Sequence, residues 1–152
     1  TVEELPVVIE QFQKTNFYIN NEIYFDFKQN IYSDDRIAYN YDLNGRRDES
    51  ITILVDSLTS GLELMYFSSS ISNRTIDMAP RLIKSLIKVN NVSEIMISNF
   101  ISSYVEVDVD VIFEGRVIEI GGMEIRAGNV PFYFNGRKLQ DDYIVRVSLD
   151  GS

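Results

Sequence analysis

Hydrophobic and polar positions along the chain change their spacing several times, and each change marks an expected element. Pro6 opens a stretch in which Val8, Ile9 and Phe12 share one helical face, so a short helix is expected over 6–14. From Asn16 the apolar positions alternate. Phe17, Ile19, Ile23, Phe25 and Phe27 flank Asn20-Asn21, which reads as a hairpin with strands near 16–19 and 22–28. A further extended piece is expected from Arg36 to Leu43, closed by the turn former Asn44-Gly45.

The next segment fits a three-to-four spacing. Ile51, Leu54, Val55, Leu58, Leu62 and Met65 predict a long helix capped by Asp48 or Ser50, although Gly61 falls inside it. The serine-rich run 68–73 reads as a loop. A second helix is expected to begin near Pro80, with Asp77 at its start, Leu82, Ile83, Leu86 and Ile87 inward, and Asn90-Asn91 at its end. A third is expected over 93–103, although its β-branched content also allows a strand.

Beyond Val105 the pattern is strand-like. Val105, Val107, Val109, Val111 and Phe113 alternate with Glu106, Asp108, Asp110 and Ile112, as in a half-buried strand. Shorter extended pieces follow at 116–120, 123–126, 132–134, 137–139 and 143–149, the third and fourth joined by the hairpin signal Asn135-Gly136. Strands, then helices, then strands predict an α+β fold: an N-terminal β-hairpin region, a central layer of two to three helices and a C-terminal antiparallel β-meander of five or six strands. A length of 152 residues fits a single domain over 1–152, and a first residue of Thr1 suggests excision from a longer polypeptide.

Composition removes much chemistry. The chain has neither His nor Cys, which excludes a Ser-His-Asp relay, a cysteine nucleophile, a Cys/His zinc site and disulfides. The net charge of −9 opposes binding to phosphate backbones, so no nucleic-acid partner is expected. No stretch is apolar for long enough to predict membrane insertion. The charge is uneven: residues 51–104 carry four acids and four bases, as an internal or interfacial helical layer would.

Three groups stand out as a candidate partner surface. The first is the row Glu106, Asp108 and Asp110, which period two places on one face of one strand. It can meet a basic partner or a divalent cation, but it is also what the solvent side of a half-buried strand requires. The second is Arg81, Lys84 and Lys88 on one helical stripe, with Arg74 nearby, which can meet an acidic surface or merely face water. The third comprises Tyr18 and Tyr24, tyrosines expected to point outward from the first hairpin. No catalytic, cofactor or metal residues are assigned, and no cofactor is expected.

The expected function is therefore a non-enzymatic protein–protein interaction or assembly module, acting through a protein partner or self-association. The abundance of Ile, Asn, Tyr and Phe, a bias of AT-rich coding DNA, fits a phage, viral or bacterial structural component. One alternative is a ligand-binding or sensor domain with a pocket between helices and sheet. The third is a metal-dependent hydrolase using Asp108, Asp110, Glu119 or Glu124.

Overall fold

A computed structural model describes residues 5–33, 35–43, 46–87, 93–105, 118–120 and 122–149. The order of elements is α1 (Val7–Gln13), α2 (Asn16–Asn20), β1 (Ile23–Ser33), β2 (Arg36–Leu43), β3 (Arg46–Asp56), β4 (Leu62–Ser69), α3 (Ser72–Leu86), α4 (Glu94–Val105), β5 (Ile118–Ile120), β6 (Met123–Phe134) and β7 (Arg137–Leu149). The strands form one seven-stranded antiparallel sheet in the order β1-β2-β3-β4-β7-β6-β5. β1 to β4 are a meander. The chain then leaves through α3 and α4, enters again at the far edge, and returns so that β7 closes against β4.

Strict alternation assigns one face of the sheet to the core. The pairings align Tyr41, Ile51, Phe67, Val145 and Ala127 in one row across five strands. Tyr39, Ile53, Met65, Val147 and Ile125 form the next. All ten are buried, in one cluster with Ile9 and Phe12 of α1, Phe17 of α2, Met78, Leu82 and Ile83 of α3, and Ile97 and Ile101 of α4. The helices thus cover a single face. The opposite face carries polar rows, such as Asn40 and Thr52, joined by a Thr52 Oγ1–H bond to Asn40 Oδ1 at 2.9 Å. It also holds a small separate cluster of Ala38, Leu54 and Leu64.

Mixed α+β architecture with an antiparallel sheet matches the expectation, and several local readings do not. The hairpin strand expected at 16–19 is the one-turn helix α2, started by Thr15, whose Oγ1 accepts from Tyr18 N at 3.2 Å. The long helix expected over 51–65 is instead β3, a turn and β4. Its apolar spacing was shared by both periods, because Ile51, Ile53 and Val55 serve the main core while Leu54 fills the small cluster behind. The turn is built by Asp56, whose Oδ1 accepts from Leu58 N and Thr59 N, both at 2.8 Å, with Ser60 at φ 60° before Gly61. The central third is therefore half sheet.

The loop expected over 68–73 ends early, since α3 starts at Ser72 and places Pro80 in its middle. A mid-helix proline removes the donor to the carbonyl four residues back, here that of Ile76. Ser98 of α4 lies on that carbonyl, its hydroxyl donating at 3.5 Å. In the C-terminal third the expected short pieces merge into two long strands, leaving three strands among the described residues. Val105 closes α4, and the remainder of the acidic alternation lies outside the described residues.

Candidate interaction surface

β6 and β7 are longer than their neighbours can cover. β4 pairs with β7 only over Tyr143–Ser148, and β5 pairs with β6 only over Met123–Ile125. The remaining hairpin, from Val130 through the turn to Asp142, pairs only with itself among the described residues. Its turn is Asn135-Gly136, with φ of 51° and 76°. Two successive positive φ values are those of a type I′ turn, whose twist matches the flanking strands, and glycine takes the second without strain.

The overhanging tip is apolar on both faces. Phe132 is 47% exposed, Tyr133 59%, Phe134 61% and Leu139 61%, the densest group of exposed large apolar side chains among the described residues. Alternation puts Phe132 and Phe134 on the face away from the helices, whereas Tyr133 points to the helical side. Arg137 and Lys138 flank them, Lys138 reaching Asp141 at 3.0 Å. Burying such a group removes about 25 cal/mol per Å² of apolar surface from water, which makes the exposed cluster a candidate contact surface.

A second open feature lies between α3 and α4. It is a shallow groove of about 230 Å³, lined by Ile76, Pro80 and Ile95 together with the polar Asp77, Arg81, Glu94, Ser98 and Asn99. Ile95 and the adjoining Met96 are 72% and 56% exposed. The volume is below the roughly 300–1,000 Å³ of small-molecule pockets.

The described residues include only part of the expected site. Arg81 and Lys84 lie on the exposed side of α3, where Arg81 meets Asp77 at 3.3 Å and Lys84 meets Glu94 at 4.0 Å. Lys88, Glu106, Asp108 and Asp110 lie outside the described residues. Tyr18 does not project outward. Its ring is edge-on to Phe12 at 5.4 Å and to Tyr41 at 5.8 Å, fastening the N-terminal helices to β2. Tyr41 is fully buried, and that burial pushes its hydroxyl well above the usual phenol range. Tyr24 lies in β1 opposite Asp42. Glu119 is paired across strands with Glu124, and Glu124 is held by Arg126 through Nε at 2.7 Å. Among the described residues no three acidic side chains converge as a metal site, and no helix is long and apolar enough to cross a membrane.

Arg74, which the sequence places near the basic stripe, turns inward. Its Nε and Nη2 donate to the carboxylate of Glu49 at 2.9 Å each, and Ser69 Oγ–H donates to the same group at 2.8 Å. Ser69 Oγ in turn accepts from Ile71 N at 3.1 Å. Glu49 is fully buried, and the pairing raises the Arg74 guanidinium above its ordinary pKa range. This ties the start of α3 to β3 and β4.

The tip was legible as a hairpin but not as a surface. Its signal was the unbroken run Phe132-Tyr133-Phe134 beside Asn135-Gly136: three apolar residues in succession on a strand cannot all face one core. Compared with family models, with characterised proteins and with solved structures, the chain matches none.

Proposed function

We propose that this chain is a non-enzymatic assembly module that binds further copies of itself through the tip of the β6–β7 hairpin. The carrying observation is the exposure of Phe132, Tyr133, Phe134 and Leu139 on an arm that the rest of the sheet does not cover. Rigid aromatic side chains lose little entropy on contact and are enriched at interfaces. The Asn135-Gly136 turn holds them in one geometry. A contact made by four side chains is small, so an affinity of about 1 μM to 1 mM is expected.

The test is solution mass by light scattering over a concentration series, for the wild type and for Phe132→Ser/Phe134→Ser. Reversible multimers of the 17.5 kDa chain are expected, weakened at least about tenfold in the double variant. The melting curve should stay unchanged, because both positions are exposed. A wild type that remains monomeric up to about 1 mM overturns the reading.

A further inference from the structure

Resting on that reading, we propose that two copies pack the Phe132 and Phe134 faces of their β6–β7 tips together about a two-fold axis. The partner of the arm is then the same arm of a second chain, and assembly through this face closes at a dimer.

Pairing and pleat sort the side chains of the tip onto two faces. Phe134 pairs with Arg137, Phe132 with Gln140 and Val130 with Asp142, so these six share the face away from the helices. Leu139 is the extra residue at the register shift, and it places Arg137 beside Phe134 while Lys138 stands beside Tyr133 on the helical side. The ion pair of Lys138 with Asp141 belongs to that helical side. The far face therefore carries one cation at its tip, Arg137, and one anion at its root, Asp142. Four residues of β6 separate the two rungs, about 13 Å. That span exceeds the screening length of about 8 Å at physiological ionic strength, so the two balance each other in number without pairing. Asp142 accepts from Gln140 Nε2 at 2.8 Å, and a carboxylate has further acceptor sites for a cation.

Such a face is complementary to itself. A two-fold axis running across the strands at the Phe132–Gln140 rung brings Phe132 of one copy onto Phe132 of the other. The same rotation sets Phe134 on Val130 and Arg137 against Asp142, each contact made twice. Residues 130–142 hold two bases and two acids, so the arm adds no repulsion between copies of a chain that carries −9. A neutral arm draws neither a strongly acidic nor a strongly basic partner. What its far face offers is the order of its charges, cation outward and anion inward, and a reversed copy of the same arm matches that order.

Light scattering over a concentration series should show the mass rising from 17.5 kDa to twice that value and no further. Arg137→Asp alone and Asp142→Arg alone should each weaken the dimer at least about tenfold, because each sets like charges in contact twice. An equimolar mixture of the two variants restores opposite charges at both crossings, as does one chain carrying both substitutions. Each should regain wild-type association to within about threefold. Arg137 is exposed, so its variant should melt as the wild type does. Should Asp142→Arg fail to fold, the mass ceiling and the loss in Arg137→Asp decide. Masses beyond two copies, or folded variants that do not rescue each other, overturn the face-to-face pairing. Tip-mediated assembly still stands in that case if Phe132→Ser/Phe134→Ser weakens association. A monomeric wild type overturns both.

Discussion

Replacing Arg74 by Met should expose how far α3 depends on one buried carboxylate. Glu49 is fully buried, and its donors include the Nε and Nη2 of Arg74 and the hydroxyl of Ser69. Arg74→Met leaves that charge inside without its cation. Breaking a buried pair on one side costs about 3–5 kcal/mol. The Arg74 side chain is 27% exposed, so water already reaches the cation side, and the lower end, about 3 kcal/mol, applies. At roughly 2–4 °C per kcal/mol for a chain of this size, the melting temperature should fall by about 6–12 °C. Glu49→Leu should cost less, about 1–2 kcal/mol, because Arg74 can turn to solvent whereas Glu49 cannot. The double variant should lie within about 1 kcal/mol of the wild type, since a buried pair replaced by apolar groups of similar volume is close to neutral. Urea unfolding followed by circular dichroism supplies all four corners of the cycle. Equal single costs that simply add in the double variant would show that the two groups are not coupled, and the reasoning would fail.

Pro80→Ala should stabilise the chain. An interior proline costs about 3 kcal/mol against Ala, and the lost ring atoms give back about 1.6 kcal/mol, leaving a net gain of about 1–1.5 kcal/mol in urea unfolding. Ser98→Ala should cost about 0.5 kcal/mol in the wild type and nothing measurable beside Pro80→Ala, where the Ile76 carbonyl regains its helical donor. At the β3–β4 turn, the N–H groups of Thr59 and Leu58 hold the Asp56 carboxyl below its ordinary 3.8. A depressed folded-state value means that the turn's contribution is present above the unfolded value and lost as pH falls through the folded one. Carbon-detected NMR titration should place the Asp56 midpoint below 3.8, and Asp56→Asn should flatten the acid limb of stability against pH.

What the sequence disclosed depended on whether one period explained a segment. β2 was legible because Tyr39, Tyr41 and Leu43 alternate toward the main core even though Ala38 faces the small cluster behind, and α4 because Ile97 and Ile101 lie one helical turn apart in the core. β3 and β4 were not, because Leu54 and Leu64 bury against the small cluster behind the sheet while their neighbours bury in front. Apolar residues on both faces erase the alternation, and what was left matched a helix. α3 was misjudged at its start because Pro80, usually a first-turn residue, is tolerated mid-helix when a neighbour's hydroxyl meets the carbonyl it frees. The side chains need a different account. The charged and tyrosine positions were chosen for residue type, but Arg74 and Tyr18 are used internally through partners far away in sequence. The exposed tip and the groove arise from how long β6 and β7 extend and how α3 meets α4. Neither is a local property of the chain.

The closure of β7 on β4 has a consequence in time as well as in space. Each strand of the first meander finds its partner across a short turn, whereas Ser69 must find Tyr143 after two helices and a complete hairpin have been made. Closing a loop of that length costs about 4 kcal/mol of chain entropy by logarithmic scaling, before any of the Met65–Val147 and Phe67–Val145 contacts offset it. Contacts this distant along the chain are the slow ones. The β4–β7 seam in the middle of the sheet is thus expected to be its slowest pairing. The small turn at Asn135-Gly136, which presents the tip to its surroundings, also lets β7 pair locally with β6, so that the long loop to β4 can be closed by a hairpin and not by a lone strand.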